Sequence, residues 1–98
     1  MPLRVDPEEN ELRALRRATS WRRKKVLEIG CGDGRLTLRL ARMGAHVVAI
    51  EPDKSLLAKA RRQLPTRLAD KIRYRMGRAE KLTFPSQCFD IVIFSWSF

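Results

Sequence analysis

Residues 26–34, VLEIGCGDG, decide the fold of this 98-residue chain. The segment begins with a short apolar run that is typical of a strand buried in a parallel sheet. It ends in a turn that contains Gly30, Gly32 and Gly34, and a helical pattern follows at once. Glycines at such a turn let the backbone bend sharply and let a ligand lie against bare main chain. The segment therefore predicts a ligand-binding loop between a strand and a helix.

Helical and strand patterns alternate after this loop. Residues 34–43 carry Leu36, Leu40 and Met43 at helical spacings, and Gly44 is expected to end that helix. The further predicted elements are a strand at 46–51, a helix at 54–64 that Asp53 caps and Pro65 ends, an edge strand at 71–77 in which Ile72, Tyr74 and Met76 form a half-buried face, a loop at 82–87 and an apolar strand at 89–98. This alternation predicts an α/β protein with a Rossmann-like parallel sheet and helices on both faces.

A different pattern precedes the first buried strand. Asp6 is a suitable N-cap for a helix whose first position is Pro7, and an apolar stripe follows on one side of that helix. A basic connector, RRKK, then leads into the strand. We therefore divide the chain into residues 1–23, an amphipathic helix with a basic connector, and residues 24–98, which form the domain.

The composition, 44% hydrophobic and 33% charged, is that of a globular protein. No apolar stretch approaches the roughly 18 residues that a membrane-spanning helix needs, and the amino terminus lacks the apolar core of a secretory signal. We therefore expect a cytoplasmic protein that does not bind membranes. Cys31 and Cys88 lie in no Cys/His cluster, so we expect two reduced packing residues and no metal site.

The net charge of +10 is concentrated in one part of the chain. Residues 54–81 carry ten basic and two acidic side chains, whereas acids such as Glu28 and Glu51 surround the predicted loop. A basic surface can attract nucleic acid or another polyanion. It can also be a solvated, ion-paired face, as suits a heat-adapted protein. The sequence leaves both interpretations open.

Glu51 ends the second buried strand, 17 residues after Gly34. In doubly wound folds an acid at this position accepts hydrogen bonds from ribose hydroxyls, although a helix-capping or solvent-facing acid is the alternative. A nicotinamide-dependent oxidoreductase has the same arrangement of strand, turn, helix and acid. Its fingerprint, G-x-G-x-x-G, fails here because the sixth position counted from Gly30 is Arg35.

With these residues in place, the chain resembles the class I S-adenosylmethionine-dependent methyltransferases, and among them the methyltransferase domain family with the motif E/D-x-G-x-G-x-G. The resemblance covers residues 24–98. Its motifs, in order, are VLEIGCGDG, VVAIEPDKSLLAKAR, GRAEKLTFP and FDIVIFSWSF. It implies a seven-stranded fold in the order 3-2-1-4-5-7-6, of which this chain supplies the first four strands. The fourth strand is then expected to be an open edge, prone to pairing or aggregation.

The resemblance also implies how the cofactor, S-adenosylmethionine, is bound. Glu28 and the loop of Gly30, Cys31, Gly32 and Gly34 surround the methionine portion, and Glu51 holds the ribose. Arg78, Ala79 and Glu80 bracket the adenine, and Ser95 and Trp96 lie beside the transferable methyl. Pro52, next to Glu51, is also expected to contact the cofactor. Arg78 departs from the family pattern, since an acid is common at that position. The resemblance identifies no catalytic residue.

The expected activity is methyl transfer to an unidentified acceptor, which family breadth suggests is a small molecule. The final SWSF is not the Asn/Asp-Pro-Pro-Tyr signature of enzymes that methylate an amino nitrogen of a base or glutamine. The loops after the fourth and fifth strands usually build the acceptor pocket in this family, and we expect the carboxyl-terminal strands of the parent domain to be missing from this chain. We therefore expect no turnover by this chain alone. The alternative is a basic, non-catalytic module that binds RNA or protein, supported by the charge alone.

Overall fold

The computed structural model describes residues 2–5, 20–78 and 88–95. Its elements, in chain order, are β1 (Pro2–Val5), β2 (Lys25–Ile29), α1 (Arg35–Arg42), β3 (His46–Glu51), α2 (Lys54–Arg62), a 3-10 turn (Thr66–Leu68), β4 (Ile72–Met76) and β5 (Ile91–Ser95). The predicted succession of strands and helices from β2 to β5 is confirmed. The helix predicted within residues 6–19 lies outside the described residues, and the division of the chain at residue 23 stays a prediction.

The five strands form one parallel sheet in the order β1-β5-β2-β3-β4. In its centre, Leu27 of β2 pairs with Val48 of β3 on one side and with Val92 of β5 on the other. The four predicted strands therefore lie in the 3-2-1-4 order, and the α/β fold class is confirmed. Parallel strands bring the loops after β2, β3, β4 and β5 to one edge of the sheet.

The prediction that the last strand is an open edge is wrong. β1 pairs with β5 in parallel, with Leu3 opposite Ile93, so the outer side of β5 has a main-chain partner. The strand β1 was not predicted because four residues are too few to show a recognisable strand pattern. Pro2 is acceptable there because it opens an edge strand and need not donate to the sheet.

Local signals set the ends of both helices. Gly44, with φ of 99°, and Ala45 donate their N–H groups back to the last turn of α1 over 3.0 and 3.1 Å, which closes that helix as a Schellman motif. Asp53 caps α2 by accepting hydrogen bonds from two main-chain N–H groups of its first turn. α2 ends at Arg62, two residues before the predicted end, and a 3-10 turn follows.

Both described helices pack on the same face of the sheet, and the expected helix on the other face stays a prediction. The core contains Leu36, Leu40 and Ala41 of α1, Leu57 and Ala60 of α2, and Val26, Val47, Ala49, Ile72, Tyr74 and Ile93 of the strands. Because side chains alternate along a strand, Val48 and Arg73 belong to the opposite face. Met76 was expected on the buried side of β4 but is 55% exposed, since it is the last residue of an edge strand. Among the described residues, no helix has the length and apolarity needed to cross a membrane.

Candidate functional site

The glycine loop lies at the carboxyl edge of the sheet, between β2 and α1. Gly30 has φ of 81°, and a Cβ there would lie 2.7 Å from the main-chain oxygen of Ser95. Gly34 has φ of 89°, and its Cβ would overlap the Tyr74 hydroxyl and come within 3.2 Å of Ala60. Side chains at these two positions would push the loop off the strands. The loop therefore keeps its main chain bare because β4, β5 and α2 approach it closely.

Glu51 joins the loop to the second strand. Its Oε1 accepts the main-chain N–H of Gly32 over 2.7 Å, and its Oε2 accepts the N–H of Asp53 over 2.9 Å. The side chain is 5% exposed, which rules out the solvent-facing alternative. A carboxylate has about four acceptor positions, so each oxygen can still accept a bond from a ligand.

Glu28 lies fully buried beneath the loop. Its Oε1 accepts a hydrogen bond from the Thr37 hydroxyl, whereas Oε2 has no partner. Burial raises the pKa of this carboxyl from 4.5 to about 7, and the nearby Glu51 adds to the rise. The hydroxyls of Thr37 and Ser95 act against that increase in pKa. Because buried carboxylate oxygens are normally paired, Oε2 of Glu28 is an unused acceptor in the interior of the protein.

The two cysteines have different environments, and both are free thiols. Cys31 is buried in the loop, and burial next to Glu28 and Glu51 raises the pKa of its thiol far above the usual range. Cys31 therefore stays protonated and is a poor nucleophile. Cys88 is exposed, so its prediction as a packing residue is wrong. Within residues 2–5, 20–78 and 88–95, no cluster of three or more His, Cys, Asp or Glu side chains could hold a metal ion.

Comparison with known protein families identifies the fold that carries this glycine loop. A family model described as a methyltransferase domain matches residues 26–98. The chain belongs to this methyltransferase domain family. Membership agrees with the failure of the nicotinamide-dependent oxidoreductase fingerprint in this sequence.

Relatives of this methyltransferase domain act in different contexts. The chain is 36% identical over 69 residues to a ubiquinone biosynthesis O-methyltransferase of Azorhizobium caulinodans, covering 70% of this chain and 27% of that protein. It is 45% identical over 60 residues to ribosomal RNA small subunit methyltransferase A of a Synechococcus strain, covering 61% and 20%. The structure of an S-adenosylmethionine dependent methyltransferase from Mesorhizobium loti superposes with a TM-score of 0.75 at 27% identity, covering 89% and 39%. The chain thus spans 20 to 39% of the length of these proteins.

The structure brings most of the predicted site residues of the methyltransferase domain together. Those that lie around the loop are Glu28, Gly30, Cys31, Gly32, Gly34, Glu51 and Ser95. Pro52 and Arg78 follow the carboxyl ends of β3 and β4 and are exposed. Ala79, Glu80 and Trp96 lie outside the described residues. The role of each of these residues in binding a cofactor stays a prediction.

Sequence reasoning missed two residues of this site. Thr37 lies on the buried side of α1, and its hydroxyl donates a hydrogen bond to Glu28. A hydroxyl residue next to Leu36, in the apolar stripe of a helix, was the sequence signal that could have identified it. Tyr74 was expected only as a strand residue, yet its buried hydroxyl lies at Gly34 and has no hydrogen-bond partner. The alternation of residues along the strand predicts which face Tyr74 is on, but it cannot predict that its ring reaches the glycine loop.

Proposed function

We propose that this chain is the S-adenosylmethionine-binding half of a methyltransferase. The observation that carries the proposal is the placement of two buried acids on one glycine loop. Glu51 is bonded to the loop main chain at Gly32, and Glu28 lies beneath it with a free oxygen. Family membership and the bare main chain at Gly30 and Gly34 support the same conclusion.

The chemistry of the cofactor fits these residues. S-adenosylmethionine supplies an electrophilic methyl on a cationic sulfur, and it also carries an ammonium group and a ribose diol. The diol would use the acceptor positions left on Glu51. The positive charge of the methionine portion would favour the ionised form of Glu28 and oppose the effect of burial on its pKa. The glycine main chain would let the cofactor approach the strand ends closely.

A small-molecule acceptor is part of the proposal. The relative named for ubiquinone biosynthesis supports it, and the ribosomal RNA methyltransferase makes RNA the second candidate. The parts of the fold that hold an acceptor are proposed to lie in segments beyond those matched here, so we predict no turnover by this chain alone. We further propose a cytoplasmic location, because Cys31 and Cys88 are free thiols, as expected in a reducing compartment.

Calorimetric titration with S-adenosylmethionine and S-adenosylhomocysteine tests the proposal. Glu51→Gln is expected to weaken binding about tenfold, the loss typical of one charge-assisted hydrogen bond. Asp70→Asn removes one exposed carboxylate outside the loop and serves as the matched control. Thermal unfolding of each variant shows that it is folded. Absence of binding by the folded wild-type chain, or binding of NAD in its place, would contradict the proposal.

A further inference from the structure

A cavity lies at the amino ends of the strands, opposite the glycine loop. It has a volume of about 510 Å³, and its lining consists of Arg23, Lys25, His46, Val47, Val48, Asp70, Lys71, Arg73, Cys88 and Phe89. Lys25 and His46 are the first residues of β2 and β3, and the other ends of these strands carry the glycine loop. These strands have five and six residues, so they separate the two sites by about 16 to 20 Å. We call this cavity, with the ten residues given above, the amino-edge groove.

The amino-edge groove is basic. Its cationic side chains are Arg23, Lys25, Lys71 and Arg73. None of these four side chains forms an ion pair within the described residues. The lining has one acid, Asp70, and the nearby Asp90 directs its carboxylate to the main-chain N–H of Lys25 at 2.9 Å. His46 is exposed at the rim. Cations outnumber acids even with Asp90 included, so the groove favours an anionic ligand.

The backbone fixes one of these cations in an unusual conformation. Arg23 has φ of 61°, and among the described non-glycine residues it alone has a positive φ. Its N–H donates to the Gly44 oxygen over 2.8 Å, which holds this turn against the end of α1. Strained backbone conformations are found preferentially at binding sites and other functional sites. The next N–H, that of Lys24, donates to the Trp21 oxygen over 3.0 Å, so main-chain hydrogen bonds hold the turn that carries Arg23.

The groove combines these charges with an apolar floor. Val48 and Phe89 are half-buried and line the same cavity as the cationic side chains. Proteins that bind single strands use the same combination, a basic channel for the phosphates and an aromatic or apolar surface for the bases. A volume of this size admits a nucleotide-sized group. A membrane surface is a poorer partner, because it needs outward-facing apolar side chains and not a concave floor.

We propose that the amino-edge groove binds a single-stranded nucleic acid, with its phosphates on the four cations and a base against Val48 and Phe89. The groove is separate from the glycine loop, so this binding does not depend on the cofactor. The net charge of +10 was compatible with polyanion binding but did not locate it, and this proposal assigns that binding to the amino-edge groove.

Fluorescence anisotropy with a labelled oligouridylate of about 12 nucleotides measures this binding. The double variant Lys71→Glu/Arg73→Glu removes two cations of the groove. The matched control, Lys59→Glu/Arg67→Glu, reverses one exposed lysine and one exposed arginine outside the groove, and both variants lower the net charge from +10 to +6. We expect the groove variant to bind at least about tenfold more weakly and the control to change by less than about threefold. Equal losses in the two variants would overturn the proposal.

Cys88 supplies a second readout that needs no charge change. It is exposed in the groove, whereas Cys31 is buried, so a neutral reagent such as 4,4′-dithiodipyridine should modify Cys88 first. The oligouridylate is expected to slow that reaction, and added salt should restore its rate. Cys88→Ser identifies the reacting thiol. Oligonucleotide binding without protection of Cys88 would place the site elsewhere. Equal protection of Cys88 by uridine monophosphate would show that the ligand is a free nucleotide and not a strand. Protection only by anionic phosphatidylglycerol vesicles would show that the partner is a membrane.

Discussion

Glu51 Oε1 accepts the main-chain N–H of Gly32 over 2.7 Å, so the loop after β2 is bonded to the end of β3. The other oxygen of the same carboxylate accepts the N–H of Asp53 and thereby holds the start of α2. A single buried side chain fixes two turns at the carboxyl edge of the sheet. The site is consequently ordered by the protein's own contacts before any ligand arrives.

Glu51→Gln is expected to destabilise the fold by about 1–3 kcal/mol. Glutamine retains one acceptor, but its amide group would face a main-chain N–H and leave that donor unsatisfied. Urea unfolding of the variant measures the free energy difference. Asp70→Asn, which removes an exposed acid, should change stability by less than about 0.5 kcal/mol. Equal effects of the two substitutions would contradict the role given to Glu51.

Gly34→Ala is expected to cost about 1–3 kcal/mol, because it adds strain at positive φ and a contact with the Tyr74 hydroxyl. Tyr74→Phe removes that hydroxyl, which has no partner, and should be nearly neutral. The double variant should therefore lose less than the sum of the single effects. A double-mutant cycle by urea unfolding measures the coupling, and strict additivity would show that the two residues do not meet.

The stability of the fold is expected to fall as pH rises from about 4.5 to about 7. Glu28 has a raised pKa in the folded state, so the folded chain holds more protons than the unfolded chain in this window. Raising the pH then favours unfolding, by up to about 3 kcal/mol if the whole shift is expressed. Urea unfolding between pH 4.5 and 8 measures the slope. Glu28→Gln should flatten it, and an unchanged slope in that variant would assign the effect to other groups.

Deleting residues 1–5 is expected to make the protein self-associate. β1 supplies the main-chain partner for Ile91–Ser95, and its loss would expose an apolar strand edge. Light scattering after size-exclusion chromatography measures the mass. Leu3→Thr keeps the main chain intact and should remain the size of the wild-type protein. A deletion variant of wild-type size would show that β5 tolerates an open edge.

Sequence reasoning succeeded where the signals are local. The three glycines, the helical spacing before Gly44 and the capping side chain of Asp53 each act within a few residues, and all were predicted. β1 was missed because its partner lies at the other end of the chain, and four residues carry too little pattern. The bonds that Glu51 makes were missed because they depend on how the loop closes over the end of β3.

The strand order also constrains the time course of folding. β2, β3 and β4 are consecutive in the chain and adjacent in the sheet, so they can pair as soon as they are synthesised. β5 is made after β4 and must enter between β1 and β2, so β1 pairs with a strand that is distant from it in the chain. Closing so large a loop is slow. We therefore expect a sheet of β2, β3 and β4 to form first, and β1 to join the sheet only after β5 has been synthesised.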